Sequence, residues 1–156
     1  MKILLLILPV LAMLNLSAQE TDSASTDTAK ISSTIAGFAT AWNKHDVNAF
    51  SMLFAEDADF TNVVGQGGHG RAEVKEFYVR PFDTWFKKSN FKFIRQKIRL
   101  IKPDVASVDA WWEMSGTVSA GGKSNPVRKG LLSFVMTKQQ GAWLFLVMHN
   151  TSLSND

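Results

Sequence analysis

A chain of 156 residues, with 46% apolar and 20% charged residues, has the composition of one globular domain and not of a disordered protein. Its net charge of +3 is small, and the lack of cysteine excludes both disulfides and a lipid-anchored cysteine. Eleven phenylalanines and five tryptophans are a heavy aromatic load, which indicates a large core or a lined pocket.

The densest basic stretch of the chain does not indicate a nucleic-acid site. Its basic residues are Lys87, Lys88, Lys92, Arg95, Lys97 and Arg99. Phe91 and Phe93 are interleaved with them, as stacking residues would be, but the stretch alternates as a β-strand does. We therefore expect these charges to line a solvated strand face, and we expect no nucleic-acid partner.

The N-terminal residues 1–18 have the pattern of a cleavable signal peptide. Lys2 supplies a positive start, residues 3–14 an apolar run, and Leu16-Ser17-Ala18 a small-residue cleavage site. The apolar run is too short to span a hydrocarbon core of about 30 Å. Residues 19–29, rich in Ser, Thr and Asp, predict a flexible leader. The expected product is a secreted or periplasmic domain over residues 30–156, without membrane association after cleavage.

Two helices and a strand are predicted at the start of this domain. Apolar residues recur at helical spacing over residues 31–42, and Asp46 is a suitable N-cap for a short helix over residues 47–54. Residues 59–64 alternate as a strand, and the glycine-rich segment 65–68 predicts a turn.

A third helix and four long strands complete the predicted fold. Residues 71–88 have helical spacing, but Pro81 is expected to break the helix because proline lacks the amide hydrogen. The period then changes to two, and strands are predicted over Phe91–Ile101, Val105–Val118, Pro126–Thr137 and Ala142–Ser152. This order predicts an α+β fold, in which helices pack into a strongly curved, mixed but mostly antiparallel sheet and leave a cone-shaped internal pocket.

The last predicted strand is apolar on both faces, which a sheet with one solvated face would not be. Since the helices cover only one face, we predict a homodimer through Trp143, Phe145 and Val147 on the other face. The alternative is an ordinary buried central strand, but the chain offers no second apolar layer to cover it.

Three stretches of the sequence carry a family resemblance: AWNKHD (41–46) with LFAEDADF (53–60), NVVG (62–65) with HGR (69–71), and MHNT (148–151). They resemble the nuclear transport factor 2-like superfamily, in particular its SnoaL-like branch. The similarity is greatest to the SgcJ/EcaC-type group of small exported or antibiotic-cluster proteins. It implies a cone-shaped pocket, frequent dimerisation, and functions that range from isomerase, dehydratase or cyclase to plain binder. Fold alone does not choose among these functions.

One member of this superfamily, ketosteroid isomerase, provides a test of mechanism. That enzyme uses a carboxylate base and an oxyanion hole made by a tyrosine and a protonated aspartate. The resemblance places these three roles on Asn62, Phe38 and Ser133. Because an amide cannot take a proton from carbon and a phenyl ring cannot donate a hydrogen bond, ketosteroid isomerase chemistry is disfavoured.

The candidate ligand-binding residues are those expected to face the pocket: Phe38, Trp42, Asn62, Tyr78, Trp112, Ser133 and Asn150. Asn62 either orients a ligand or bonds neighbouring backbone, since an inward amide needs a partner. Tyr78 either donates to a ligand oxygen or packs with its hydroxyl at the rim.

Glu113, His149 and Tyr78 are the candidate acids or bases. Glu113 would have a raised pKa if it faced the cavity. His149 and Asn150 must face opposite sides of their strand, and alternation places Asn150 inward and His149 on the dimer face unless a bulge reverses them. The three histidines are scattered, so no metal site and no cofactor are predicted.

These observations favour an exported dimeric protein that binds a small, largely apolar molecule. The alternative is a SnoaL-like isomerase, dehydratase or cyclase with a non-standard acid or base. A protein–protein interaction module is a third possibility, and it would require neither an open pocket nor a titratable group.

Overall fold

The computed structural model describes residues 7–153, with side chains from residue 24 onward. The elements in chain order are α1 (Ile7–Asn43), α2 (Val47–Ser51), β1 (Phe54–Thr61), β2 (Gly67–His69), α3 (Gly70–Asp83), β3 (Asn90–Lys102), β4 (Val105–Ser115), β5 (Arg128–Gln139) and β6 (Ala142–Ser152). The strands form one sheet in the order β2-β1-β6-β5-β4-β3. The β1–β6 pair is parallel and the other pairs are antiparallel. The predicted α+β class and the mixed, mostly antiparallel sheet are therefore confirmed.

The sheet is open, with β2 and β3 at its edges, and it is not strongly curled. The prediction of a strongly curved, cone-forming sheet is wrong in this respect. The helices pack on one side of the sheet, which we call the inner face, through contacts of α1 with β3 and β6 and of α3 with β1. The opposite side is called the outer face.

The second helix and the first strand meet earlier in the chain than predicted. The predicted N-cap is confirmed, since the Asp46 carboxylate accepts a hydrogen bond from the Ala49 amide at 2.9 Å. The helix ends at Ser51, and the Phe145 amide of β6 donates to the Leu53 carbonyl at 2.9 Å. Because pairing with β6 starts there, Phe54 opens β1 instead of closing the helix.

The predicted break at Pro81 is wrong, because α3 continues through Pro81 to Asp83. The carbonyl of Pro81 accepts hydrogen bonds from the amides of Thr84 and Phe86, at 3.3 and 2.9 Å. These bonds close the last turn of the helix. A proline near the end of a helix removes only one backbone donor there, and the chain absorbs that loss.

An extra residue in β6 changes which way its side chains point. Val147 pairs with Val135 of β5, whereas Phe145 pairs with Met136, so Leu146 is left over as a bulge. Because side chains alternate along a strand, the residues before the bulge face opposite to the side that uninterrupted alternation predicts.

The predicted dimer surface of Trp143, Phe145 and Val147 must therefore be corrected. Trp143 and Phe145 are 2% and 0% exposed, and both belong to the core under the helices. Val147 lies on the outer face opposite Val135. After the bulge the predicted alternation holds, with Asn150 on the inner face and His149 on the outer face.

The helix α1 crosses the predicted division between leader and domain. Residues 1–6 of the predicted signal peptide lie outside the described residues, and residues 7–29 are helical. Asp27 is buried, accepts a hydrogen bond from the Trp143 indole at 3.1 Å, and pairs with the Lys138 ammonium at 2.8 Å. The contacts of the fold therefore extend N-terminal of Lys30. No helix in the described part of the chain has both the length and the apolar character that a bilayer span requires.

Replacing Asp27 by asparagine is expected to make the free energy of unfolding less dependent on pH in the acidic range. The hydrogen bond from Lys138, then that from Trp143, lowers the pKa of Asp27 below the ordinary value of 3.8. A carboxylate with a lowered folded-state pKa stabilises the fold above about pH 4, and this contribution disappears as pH falls through the folded-state pKa. Urea unfolding should show Asp27→Asn to be about 1–2 kcal/mol less stable than the parent at neutral pH. Near pH 3 the difference should be smaller, and the exposed control Asp83→Asn should change little at either pH.

Candidate functional site

A cavity lies between the helices and the inner face of β4, β5 and β6. Its free volume, the space open to the centre of a water-sized sphere, is about 80 Å³. Its lining residues are Phe38, Trp42, Asn62, Val63, Phe77, Tyr78, Phe86, Phe91, Trp112, Met114, Arg128, Leu132 and Asn150. A concave space with a mainly aromatic wall and few polar groups is typical of a small-molecule site.

All of the predicted ligand-binding residues except Ser133 line this cavity. Ser133 pairs with Asp109 of β4 and with His149 of β6, and its hydroxyl donates to the Asp109 carboxylate at 2.9 Å. This places Ser133 on the outer face, because its neighbours Leu132 and Phe134 are buried on the inner face. The predicted inward position of Ser133 is therefore corrected.

A hydrogen bond between Trp112 and Asn150 shapes the floor of the cavity. The Trp112 indole N–H donates to the Asn150 side-chain oxygen at 2.9 Å. Since an indole N–H can only donate, the amide must turn its oxygen toward Trp112. The Asn150 amide nitrogen is left without a hydrogen-bond partner among the described side chains and backbone.

Gly130 makes this arrangement possible by leaving room for the indole. A Cβ atom at Gly130 would lie 2.2 Å from the Trp112 ring and 2.5 Å from the Thr151 carbonyl oxygen. Any larger residue there would push Trp112 away from Asn150.

Gly130→Ala is therefore expected to displace Trp112 into the cavity and to cost about 1–3 kcal/mol of unfolding free energy through overpacking. Tryptophan fluorescence and urea unfolding measure both effects. Gly121→Ala is the matched control, because no atom lies within 4 Å of a Cβ at that position and its φ is not positive. An unchanged emission spectrum and unchanged stability in Gly130→Ala would contradict the packing described here.

Tyr78 projects from α3 into the aromatic wall and is 5% exposed. Its ring contacts those of Phe50 and Trp42, with centroid distances of 4.8 and 5.6 Å. The hydroxyl has no hydrogen-bond partner within residues 24–153. Burial raises the pKa of Tyr78, so this phenol remains protonated at neutral pH and can donate a hydrogen bond to a ligand.

The Asn62 side chain is engaged with the turn that follows β1. Its oxygen accepts hydrogen bonds from the amides of Val64 and Gln66, at 3.0 and 2.9 Å. Of the two roles considered for Asn62, bonding to neighbouring backbone is therefore the one that the structure contains. Asn62 borders the cavity but has no free oxygen with which to orient a ligand.

Glu113 and His149 do not line the cavity. The Glu113 carboxylate lies 2.9 Å from the Lys92 ammonium and 3.4 Å from that of Lys129. The hydrogen bond from Lys92 lowers the pKa of Glu113, which is opposite to the shift expected for a cavity acid. His149 is exposed and lies opposite Ser133 on the outer face. Neither residue is placed to act on a molecule inside the cavity.

Arg128 is a cavity residue that the sequence analysis missed. It begins β5 and pairs with Met114 of β4, and both residues line the cavity. The signal was present in the sequence, because Leu132, Phe134 and Met136 mark one face of this strand and Arg128 shares their parity. The same parity excludes Ser133 from that face.

The SnoaL-like domain family matches residues 35–143, which is most of the fold just described. The chain belongs to the SnoaL-like domain family. No protein of curated function matches it in sequence.

Solved structures agree with this SnoaL-like fold. An uncharacterised Caulobacter vibrioides protein with a cystatin-like fold is 26% identical, with a TM-score of 0.76, and the match covers 83% of this chain and 91% of that one. Two Novosphingobium aromaticivorans proteins share the fold at lower identity. A proposed scytalone dehydratase is 17% identical (TM-score 0.76; 86% and 89% covered), and a proposed aromatic ring hydroxylase is 20% identical (TM-score 0.72; 83% and 90% covered).

Proposed function

We propose that this SnoaL-like protein binds a small, largely apolar molecule in the cavity between its helices and the inner face of its sheet. The observation that carries the proposal is the wall of this cavity, which is mainly aromatic and opens to the surface. Trp112, Tyr78 and Asn150 add a few polar groups to this wall. Such a combination orients a ligand while apolar contact supplies most of the affinity.

The composition of the wall favours binding over proton-transfer catalysis. No carboxylate and no imidazole is among the lining residues within the described part of the chain. A general base must lie within hydrogen-bond reach of the proton that it takes, and its pKa should be near the working pH. Tyr78 is a poor base because burial raises its pKa.

An isomerase, dehydratase or cyclase activity is the second candidate, and the free hydroxyl of Tyr78 is the observation that favours it. That hydroxyl could polarise a ligand carbonyl as a hydrogen-bond donor. Tyr78→Phe distinguishes the two functions. It should abolish turnover if Tyr78 is catalytic and should change only affinity if the protein is a binder.

We propose that the protein is a homodimer through the outer face of its sheet. This face carries half-buried apolar side chains, namely Trp111, Leu131, Val135, Leu144 and Val147. Apolar surface on an open sheet face marks an interaction site on a small protein. A second copy, related by a two-fold axis, would cover this face with the same face of its own sheet.

We further propose that the protein is exported, as the signal-peptide pattern of residues 1–18 indicates. Export would also fit membership of the SgcJ/EcaC-type group of small exported proteins, which we propose from the resemblance of the sequence. N-terminal sequencing of the protein recovered from a secreting host tests this proposal. A mature chain that starts near Gln19 is expected, and a chain that retains Lys2 would contradict it.

The binding proposal is tested by blocking the cavity at its rim. Val63 lines the cavity, whereas its neighbour Val64 is 71% exposed and does not. The neutral dye N-phenyl-1-naphthylamine should bind the parent saturably and gain fluorescence. Val63→Trp should weaken that binding about tenfold or more by occupying the space, since ligand affinity here depends on contact with each buried atom. Val64→Trp, the matched control, should bind as the parent does, and equal binding by both variants would contradict the proposal.

A further inference from the structure

Arg128 is the one charged residue among those that line the cavity in the described part of the chain. No described residue forms an ion pair or a hydrogen bond with its guanidinium. Other arginines are engaged: Arg71 donates to the Phe54 carbonyl at 2.8 Å, and Arg95 lies 3.7 Å from the Trp111 ring centre. Arg128 is partly buried, and a partly buried charge gains free energy when it meets an opposite charge.

The other free polar groups of the cavity are hydrogen-bond donors as well. The Asn150 oxygen is taken by the Trp112 indole, which leaves the amide N–H groups free. The Asn62 oxygen is taken by backbone amides. A guanidinium has N–H groups and no acceptor, and the Tyr78 hydroxyl can donate. A ligand that satisfies this set must supply hydrogen-bond acceptors, as carboxylate oxygens do.

Arg128 lines both this cavity and a neighbouring, more open groove that it forms with Trp85, Phe86 and Val118. An anionic group placed there keeps part of its hydration, while an apolar body reaches inward to Phe38 and Trp112. Because the anionic group stays partly hydrated and only the apolar body is buried, the free-energy cost of removing the charge from water is lowered.

We propose that the ligand is an apolar carboxylic acid, bound as its anion, with the carboxylate paired to Arg128 and the body among the aromatic rings. This inference rests on the proposed function. A planar guanidinium matches a carboxylate through two parallel hydrogen bonds. A single cation with no second positive group in the described wall balances one negative charge, which favours a carboxylate over a phosphate dianion.

Calorimetric titration with 2-naphthoate and its neutral isostere 2-naphthamide tests the proposal. At neutral pH the parent should bind naphthoate about tenfold to hundredfold tighter than naphthamide, as expected for hydrogen bonds to a charged group. Arg128→Gln should reduce the preference to about one, with the larger loss in the affinity for naphthoate. Arg128→Lys keeps the positive charge but cannot form the two parallel hydrogen bonds of a guanidinium, so it should retain part of the preference. Arg95→Gln, the control, removes an equal charge from the outer face and should leave the affinities for both compounds unchanged.

The outcomes separate this inference from the proposed function. Failure of both compounds to bind the parent would overturn the binding function itself. Binding of naphthamide with no preference for naphthoate would overturn only the carboxylate proposal. A preference that persists in Arg128→Gln would overturn the assignment to Arg128. If Arg128→Gln lost naphthamide binding too, Arg128→Lys would decide: a preference for naphthoate supports the assignment, and its absence overturns it.

Discussion

Replacing Phe38 by alanine should lower the free energy of unfolding by about 3–5 kcal/mol, the usual cost of removing a fully buried aromatic ring. Phe38 is 1% exposed, and its ring lies 4.8 Å from that of Phe50 and 5.3 Å from that of Phe91, centre to centre. It also contacts rings of β5 and β6, so it joins α1 to the sheet. Urea unfolding followed by circular dichroism measures the loss.

Phe77→Ala is the matched control for this experiment. Phe77 lines the same cavity but is only half-buried on α3. Its loss should cost about 1–2 kcal/mol, because less apolar surface is returned to water. Equal losses for the two variants would contradict a core centred on Phe38.

Val147→Lys should convert the proposed dimer into a monomer. Val147 faces Val135 on the outer face, where a second copy would enclose it. A lysine ammonium in an apolar interface lacks a partner and costs several kcal/mol, so association should weaken by about a hundredfold or more. Sedimentation velocity measures the change in mass, and the circular dichroism spectrum should stay that of the parent.

Val79→Lys is the control for assembly, since Val79 is 45% exposed on α3 and lies away from the outer face. It should leave the dimer intact. A parent protein that sediments as a monomer would contradict the dimer outright. A dimer that survives Val147→Lys would place its interface elsewhere.

The order of helices and strands could be predicted from periodicity. The face of the sheet to which each side chain points could not be predicted for every strand. Periodicity reports that β6 is a strand, but Trp143 to Met148 are all apolar, so the pattern carries no sign of which side is buried. The bulge at Leu146 decides that, and it arises from pairing with β5. A one-residue irregularity reverses every side chain on one side of it.

The cavity side chains were predictable where one strong pattern marked the inner face. Phe38, Trp42 and Trp112 follow from helical and strand spacing, and they do line the cavity. Ser133 was placed by analogy with ketosteroid isomerase, against the alternation of its own strand, and the alternation was right. The engagement of Asn62 with its own turn and the pairing of Glu113 with two lysines depend on contacts that only the folded chain brings together.

A crystal structure of the protein with N-phenyl-1-naphthylamine would test the central claim most directly. The dye is expected between α1 and the inner face of the sheet, against Phe38 and Trp112, with the Trp112–Asn150 hydrogen bond intact. Dye bound only on the outer face, over Val135 and Val147, with the cavity closed by its own side chains, would contradict the account.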